Sequence, residues 1–463
     1  MKILLLGEYS NVHATLAEGL HALGHDVVVC SNGDFWKNYP RDIDVARPTG
    51  RLAGVRLYAR ILSLLPRLRG FDVVQLINPM FFELKAERLF FLYRYLRKHN
   101  KRVVLGAFGM DYYWVEVNST KMPLRYSDFN IGKKLRNNAD AVKERREWLG
   151  TAKGRLNQFI AADCDAIVAG LYEYWACYQP LFPDKTTFIP FPIHIRESMP
   201  SSDFTPPLKL FIGISKGRSE YKGTDIMLRA AEEICRKFPD KVVLRKAEGV
   251  PFDEYVKMMN GCDVILDQLY SYTPSMNPLE AMAHGLICVG GGEPENYEII
   301  NEEVYRPIMN VEPYYDSVYD ALEWLVFSPE LIGLLKQDSW TYVLRHHDFV
   351  TVARKYEQLY KGLTVRMAWK KQFRCKQCGY EADVYEGRGF MGQHISTMTC
   401  PDCHSLQPLV VGGVIGDAAP SFRSEVGRLC LQCGSDRIRI WDGHTCPCCG
   451  GRMEETGQRD FWT

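Results

Sequence analysis

Four Cys-x2-Cys pairs near the end of the chain constrain its fold more than any other feature. The pairs are Cys375/Cys378, Cys400/Cys403, Cys430/Cys433 and Cys446/Cys449. Nine of the 15 cysteines lie in the last 89 residues, whereas the other six are isolated in apolar segments. The apolar run that opens the chain is too short for a signal peptide, so we expect a cytoplasmic protein with reduced thiols. The clustered cysteines are therefore predicted to be metal ligands before disulfides.

Each Cys-x2-Cys pair supplies two thiolates from one tight turn, and two such turns complete the tetrahedral shell of structural zinc. We expect two zinc ions, one held by the first two pairs and the other by the last two. Cys448 and His444 are further potential ligands, so the last ligand of the second site stays open. Each set resembles a zinc ribbon, and residues 364–463 are predicted to form a small β-rich domain of tandem ribbons that needs zinc to fold.

The charge of this tail argues against a nucleic-acid partner. Residues 364–463 contain 12 Lys+Arg and 11 Asp+Glu. Eight thiolates around two Zn(II) ions would bring the net charge to about −3, which suits phosphate binding poorly. The whole chain has a formal charge of only +1, so it is no polycation either. We therefore favour a structural role for the ribbons, or docking of a protein partner.

The first 190 residues alternate short apolar runs with segments of helical periodicity. Residues 2–6 form an apolar run typical of a buried parallel strand, residues 12–23 have apolar side chains at helical spacing, and residues 26–30 begin a second strand. Further predicted strands follow at residues 73–77, 102–105, 166–169 and 187–189. The pattern predicts a doubly wound, Rossmann-like α/β domain over 1–190.

A second α/β unit follows a proline-rich stretch. Residues 191–207 lack periodicity and are predicted to be a linker. The alternation restarts over 208–345, and residues 346–363 are predicted to form a helix that ends this part of the chain. Two α/β units of similar size would face a cleft, where ligands bind at the carboxyl ends of the strands.

Cationic residues directly follow the first strand of this second unit. Lys216, Arg218 and Lys222 lie between a predicted strand at 209–214 and a predicted helix. Cations at the carboxyl end of a strand and beside the start of a helix suit a diphosphate. This segment is therefore a candidate anion-binding site.

A second candidate site lies further along the same unit. Ser275 or Asn277 can cap a helix that begins near Pro278, which would leave backbone N–H groups facing an anion. Glu280 lies one turn inside this helix and could accept hydrogen bonds from vicinal ribose hydroxyls. Either segment alone is equally typical of an ordinary strand–helix junction, and it is their order that is informative.

Residues 209–300 resemble the donor-binding half of the retaining GT-B glycosyltransferases with R…KG and E-x7-E motifs. The resemblance in architecture extends over residues 1–363. It implies that Arg218 and Lys222 bind the diphosphate of the donor, with Lys216 as a third cation. It also implies that the backbone at Ser275, Met276 and Asn277 faces this diphosphate, and that Glu280 binds the ribose. The first Glu of E-x7-E would fall at position 272, where this chain has Tyr272, so the sugar contact and the stereochemical outcome stay open.

The first unit is expected to supply contacts to the acceptor. Its opening loop contains Gly7 and His13, and the resemblance implies that this loop approaches the donor phosphate and the acceptor. Asp111 is followed by three aromatic residues, a combination that suits a sugar because carboxylates bind hydroxyls and rings cover C–H faces. Asp111 could equally cap a helix. His13 and Asp111 complete the candidate catalytic set with Arg218 and Lys222.

The resemblance, taken with these observations, implies a GT-B glycosyltransferase that transfers a sugar from a nucleoside diphosphate sugar to a carbohydrate or lipid-linked acceptor, without a metal for transfer. Surface-polysaccharide synthesis is the implied pathway class. Two alternatives stay open: a sugar-nucleotide epimerase or phosphorylase on the same fold, and a non-catalytic scaffold that binds a nucleotide sugar. Residues 57–69 and 81–101 mix Leu and Phe with Arg and Lys, which suits the inner face of a membrane or an ordinary surface helix.

Overall fold

The computed structural model describes residues 1–195, 198–199, 201–215, 217–250, 252–364, 369–388, 394–412, 429–457 and 460–461. The chain divides into two compact units, Met1–Tyr360 and Lys361–Thr463. The first unit contains two α/β domains, and the second is the cysteine-rich tail.

The first domain is a parallel sheet covered by helices. Its strands are β1 (Lys2–Leu6), β2 (Asp26–Ser31), β3 (Ile43–Asp44), β4 (Val73–Leu76), β5 (Arg102–Ala107), β6 (Asn130–Ile131), β7 (Lys134–Leu135), β8 (Ala166–Ala169) and β9 (Thr186–Phe188). Its helices are α1 (Val12–Ala22), α2 (Ala53–Leu64), α3 (Ala86–His99), α4 (Tyr112–Thr120), α5 (Ala139–Trp148), α6 (Ala152–Asp163) and α7 (Tyr172–Tyr178). The sheet order is β3-β2-β1-β4-β5-β8-β9, and β6 and β7 form a separate hairpin. An order that runs outward from β1 in both directions is that of a doubly wound fold.

The second domain repeats the arrangement on a smaller scale. Its strands are β10 (Leu208–Ile214), β11 (Val242–Glu248), β12 (Val264–Leu266), β13 (Ile287–Gly290) and β14 (Met309–Asn310). Its helices are α8 (Ser219–Lys222), α9 (Thr224–Lys237), α10 (Phe252–Met259), α11 (Met276–Ala283), α12 (Pro294–Glu298), α13 (Tyr315–Phe327), α14 (Pro329–His347) and α15 (Phe349–Thr364). The parallel order β11-β10-β12-β13-β14 is the other common doubly wound order.

Apolar periodicity explains why these segments form these elements. The strand residues Leu4, Leu6 and Leu210 are wholly buried, as expected where helices cover both faces of a parallel sheet. On α9 the buried residues Met227, Ala230, Ala231 and Ile234 recur at helical spacing. The prediction of two doubly wound α/β domains is confirmed.

The predicted helix over 346–363 begins later than expected. Residues 346 and 347 still belong to α14, because the Asp348 carboxylate accepts a hydrogen bond from the Thr351 amide (2.9 Å) and so starts α15. Helix α15 then returns to the first domain. There the Tyr360 hydroxyl donates to Gln75 Oε1 (2.6 Å), and His25 Nε2 lies 3.0 Å from Glu357 Oε1.

None of the helices in the described part of the chain combines the length and the apolar character that crossing a bilayer requires.

The tail is a separate antiparallel β structure. Its strands are β15 (Trp369–Cys375), β16 (Glu381–Arg388), β17 (His394–Thr399), β18 (Leu406–Gly412), β19 (Arg439–Ile440), β20 (Met453–Glu455) and β21 (Asp460–Phe461). The main order is β18-β17-β16-β15-β20, with β19 paired to β17 and β21 paired to β15. Its small core consists of Cys375, Val384, Trp441, Cys446 and Met453. The prediction of a small β-rich C-terminal domain is confirmed.

Candidate functional site

A cavity of about 770 Å³ lies between the two α/β domains, and we call it the interdomain cavity. Loops that follow β1, β5 and β8 line it on one side, and loops that follow β10, β11 and β12 line it on the other. It therefore lies at the carboxyl ends of both sheets, where open α/β folds bind their ligands.

Arg218 and Lys222 both line the interdomain cavity, at the two ends of the short helix α8. Gly223 ends this helix with a φ of 76°, and a Cβ there would lie 2.8 Å from the Cβ of Leu269. The site therefore needs glycine both for its backbone conformation and for close packing. Lys222 also acts on the buried Asp267, whose pKa is raised by burial, an effect that the cation opposes. Lys216 lies outside the described residues.

The second candidate segment lines the same cavity. Helix α11 begins at Met276, two residues before the predicted start, so Ser275 occupies the N-cap position. Within the described part of the chain, Ser275 makes no side-chain capping hydrogen bond. Ser275, Met276 and Asn277 all line the cavity, and Tyr255 donates a 2.9 Å hydrogen bond to Asn277 Oδ1. The start of α11, where backbone N–H groups lack partners within the helix, thus lines the same cavity as Arg218 and Lys222.

Glu280 lines the cavity from the first turns of α11. Its side chain is 39% exposed, and its Oε1 lies 3.7 Å from Nδ1 of His284. The carboxylate is thus accessible to a ligand in the cavity, unlike the buried acids on the opposite side.

Gly7 and His13 lie beneath the cavity, in a buried hydrogen-bonded chain. His13 Nδ1 donates to the Gly7 carbonyl (2.9 Å), and Gln75 Nε2 lies 3.2 Å from His13 Nε2. Burial lowers the pKa of His13 to about 3, so its ring is neutral. A Cβ on Gly7 would lie 2.3 Å from Ile77 Cγ2, which explains why glycine is needed there. This geometry holds the loop after β1 in place and does not present the imidazole to the cavity.

Asp111 caps helix α4, which was the alternative interpretation of this residue. One of its oxygens accepts from the Trp114 amide (2.8 Å) at the start of α4, and the other accepts from the Tyr178 hydroxyl (2.8 Å). Burial raises the pKa of this wholly buried acid to about 7. Trp114 does line the cavity, and its indole N–H donates to Asp128 (3.1 Å), another acid in the cavity wall.

Tyr272 is turned away from the cavity and joins the two domains. Its hydroxyl accepts a 2.7 Å hydrogen bond from the Arg125 amide, and its ring stacks on Tyr172 with a centroid separation of 5.9 Å. The Arg125 guanidinium lies over the Tyr272 ring and donates to Glu293 (2.8 Å) and Glu295 (2.7 Å). Tyr272, which stands where the first Glu of E-x7-E would fall, thus contacts the first domain.

Sequence reasoning missed two residues that reach the site from the first domain. Arg136 donates to the carbonyls of Glu220 (2.7 Å) and Tyr221 (3.0 Å) in α8, while its guanidinium lies 3.3 Å from the Tyr270 ring centroid. Glu173, at the start of α7, lines the cavity. No local signal marks either residue, because both act on segments that are distant in sequence.

The eight predicted cysteines of the tail form two tetrads with a different pairing from the one expected. One tetrad contains Cys375, Cys378, Cys446 and Cys449, and the other contains Cys400, Cys403, Cys430 and Cys433. The expectation that consecutive pairs share a zinc is wrong. The pairing is nested, because the first cysteine pair joins the last and the second joins the third. Antiparallel strands explain this, because β15 pairs with β20 and so brings the first cysteine pair beside the last. Cys448 and His444 belong to neither tetrad among the described residues.

The sulfur positions fit a tetrahedral metal. Sγ–Sγ distances are 3.6 Å for Cys375 and Cys449 and 3.5 Å for Cys403 and Cys430. Zn–S bonds of about 2.3 Å in a tetrahedron require sulfur separations of about 3.8 Å. Backbone hydrogen bonds from Cys378 and Gln377 lower the pKa of Cys375, whereas the contacts with Cys378 and Cys375 raise the pKa of Cys449 in the same tetrad. The donor set therefore suits two structural metal ions.

Comparison with solved structures identifies the fold of the first unit. Sucrose-phosphate synthase from Thermosynechococcus elongatus matches with a TM-score of 0.51 and 12% identity, over 78% of this chain and 99% of that chain. HepE from Anabaena in complex with UDP and glucose matches with a TM-score of 0.47 and 12% identity, over 78% of this chain and 99% of that chain. UDP-GlcNAc 2-epimerase from Neisseria meningitidis bound to UDP-GlcNAc matches with a TM-score of 0.43 and 12% identity, over 78% and 100%. Neither protein-family models nor curated proteins match the sequence. At 12% identity, the likeness to sucrose-phosphate synthase shows the GT-B fold alone.

Proposed function

We propose that the Met1–Tyr360 unit is a glycosyltransferase that transfers a sugar from a nucleoside diphosphate sugar to a carbohydrate or lipid-linked acceptor. One observation carries the proposal: Arg218, Lys222 and the start of α11 line one cavity together with Glu280. Two cations and a helix N-terminus complement a diphosphate, and a carboxylate one turn further on can accept hydrogen bonds from the ribose.

In this mechanism the protein positions the reactants and stabilises charge. When the bond between the sugar and the diphosphate breaks, negative charge grows on the diphosphate, and Arg218 and Lys222 stabilise it. The cavity holds the acceptor hydroxyl close to the sugar, and the leaving diphosphate takes up its proton. The proposal needs no divalent metal for transfer, because the two cations and the backbone N–H groups at the start of α11 offset the negative charge of the leaving group. His13 and Asp111 have positioning roles, since both are buried and hydrogen-bonded.

The proposal extends to the acceptor and its location, as surface-polysaccharide synthesis at the inner face of a membrane. Residues 47–69 carry six arginines and no acidic residue, and Leu52, Val55 and Leu62 are exposed among them. Such a surface suits anionic lipid headgroups. We expect the protein to sediment with phosphatidylglycerol vesicles and not with phosphatidylcholine vesicles, and equal recovery with both would contradict this part of the proposal.

We further propose that each tetrad of the tail binds one structural zinc ion and that the folded ribbons dock a protein partner. Four thiolates in two tight turns leave no open coordination position, which is typical of structural rather than catalytic zinc.

Nucleotide binding tests the donor site directly. The probes are UDP, GDP and ADP with UDP-glucose, GDP-mannose and ADP-glucose, and the measurement is the rise in Tm caused by binding to the folded protein. Lys222→Ala should weaken binding of the stabilising nucleotide by roughly tenfold to a hundredfold, because a charge-assisted hydrogen bond is lost. Lys246→Ala, at an exposed lysine of β11 outside the cavity, is the matched control and should change nothing. Unchanged affinity in Lys222→Ala would overturn the assignment.

A scaffold without activity is the second candidate, and Tyr272 in place of a motif carboxylate favours it. Sugar transfer or donor hydrolysis by the purified protein would exclude this candidate. An epimerase or phosphorylase would reveal itself by an epimerised nucleotide sugar or by a sugar phosphate among the products. Nucleotide binding without any turnover would support the scaffold.

A further inference from the structure

Glu173 reaches across the domain boundary into the loop that leads to α11. Its Oε1 accepts hydrogen bonds from the backbone amides of Tyr272 (2.7 Å) and Thr273 (3.1 Å). The side chain is only 3% exposed, and the residue lines the interdomain cavity. One carboxylate oxygen thus has hydrogen-bond partners within the protein.

The other carboxylate oxygen differs in its hydrogen bonding. Glu173 Oε2 is buried and has no hydrogen-bond partner among the described residues. Ser271, which is 5% exposed and also lines the cavity, has a buried hydroxyl without a partner in the same part of the chain. A buried polar atom without a partner costs about 1–3 kcal/mol. Because both residues belong to the lining of the interdomain cavity, a ligand that reached these two atoms would supply the missing partners.

The chemistry of the two atoms defines the group that fits them. A carboxylate oxygen accepts hydrogen bonds only, whereas a serine hydroxyl both donates and accepts. Two neighbouring hydroxyls of a sugar supply the complementary donors and acceptor. Burial raises the pKa of Glu173, although hydrogen bonds from its own amide, from the Thr273 hydroxyl and from the amides of Tyr272 and Thr273 oppose this effect.

The position of the two atoms distinguishes the donor sugar from the acceptor. Ser271 and the amides that hold Glu173 belong to the loop that continues into Ser275 and the start of α11. A diphosphate bound at α11 would therefore have its sugar within reach of this loop. Tyr272 itself supplies no group here, because its side chain faces Arg125.

We propose that Glu173 and Ser271 form a hydroxyl-binding subsite that recognises the sugar of the nucleotide donor. This inference rests on the proposed function, and it assigns to a residue of the first domain the selection of the sugar. Glu173 would also couple donor binding to the relative position of the domains, because it contacts one domain from the other.

The test compares each nucleotide with its sugar conjugate by titration calorimetry, with the same six probes. In wild type the sugar conjugate should bind more tightly than the diphosphate alone. Glu173→Gln replaces the free acceptor by a donor and should weaken binding of the sugar conjugate by roughly tenfold or more, with the diphosphate unchanged. Ser271→Ala should give a smaller loss in the same direction and stays informative if Glu173→Gln folds poorly. Glu330→Gln, at an exposed glutamate of α14, is the control for loss of a charge.

Three results would overturn the subsite. Equal losses for diphosphate and sugar conjugate would show that Glu173 only positions the loop. Unchanged donor affinity with a higher KM for the acceptor would place the acceptor sugar there instead. Unchanged donor affinity together with an unchanged KM for the acceptor in both variants would show that the subsite has no function. Failure of the proposed function itself looks different, because wild type would then bind none of the six probes.

Discussion

In the Met1–Tyr360 unit, strand residues such as Leu4 and Leu210 are wholly buried in one continuous hydrophobic core. In the tail, two of the five residues of the small core, Cys375 and Cys446, belong to a metal tetrad. Burial of apolar area is sufficient to stabilise the first arrangement, whereas the second has too little of it. From this difference we expect bound metal to take the place of a large core in the tail.

Removal of zinc should have the largest effect and should be confined to the tail. Structural zinc contributes about 10–16 kcal/mol per site in small zinc modules, so a chelator should unfold the described strands of the tail. Hydrogen exchange resolved by peptide is the measurement, with peptides from β1 and β10 as internal controls. Retained protection in a tail that metal analysis shows to be free of zinc would break the comparison.

Paired cysteine substitutions should distinguish the nested from the consecutive arrangement. The double variant Cys375→Ser/Cys446→Ser removes two ligands of one tetrad, so one of two zinc ions should remain. Its matched control, Cys375→Ser/Cys400→Ser, damages both tetrads and should leave none. The consecutive arrangement predicts the opposite stoichiometries, and elemental analysis of the purified variants decides between them.

A cavity in the core of the larger unit should destabilise that unit and leave the zinc content unchanged. Ile212 on β10 is wholly buried, and Ile212→Ala should lower the free energy of unfolding by about 2–5 kcal/mol. Val243→Ala, on a residue of β11 that is 38% exposed, should cost less than about 1 kcal/mol. Denaturant titration measures both, and a loss of zinc in Ile212→Ala would show that the two units are coupled.

Truncation should have the smallest effect of the four. All described residues that line the interdomain cavity precede α15, so a chain that ends at Gly362 retains the whole donor site. Its binding free energy for the nucleotide should differ from that of the full chain by less than about 0.5 kcal/mol. A larger loss in calorimetry would show that the tail supports the cavity.

The sequence was informative where a function depends on neighbours along the chain. The strands at 209–214 and 264–266, the cations Arg218 and Lys222, and the eight cysteines could all be located from local patterns. The pairing of the cysteines could not, because both arrangements have the same spacings and only the partnership of β15 with β20 separates them.

The contacts between the domains were also beyond local patterns. Glu173 accepts a hydrogen bond from a residue 100 positions away, and Arg136 donates one to a residue 85 positions away. No motif of fixed spacing marks such contacts. Asp111 shows the converse limit, because a capping acid and a sugar-binding acid have the same sequence signature.

The nested tetrads impose an order on biosynthesis. The inner tetrad joins Cys403 to Cys430, 27 positions apart, whereas the outer tetrad joins Cys375 to Cys449, 74 positions apart. A ribosome therefore synthesises every ligand of the inner tetrad before it reaches Cys446. As the chain emerges from the ribosome, the second and third cysteine pairs can come together before the last pair is available to the first. Until Cys449 has emerged, the thiols of Cys375 and Cys378 lack the other two members of their tetrad, so the first cysteine pair of the tail stays without its partners for longer than the second pair.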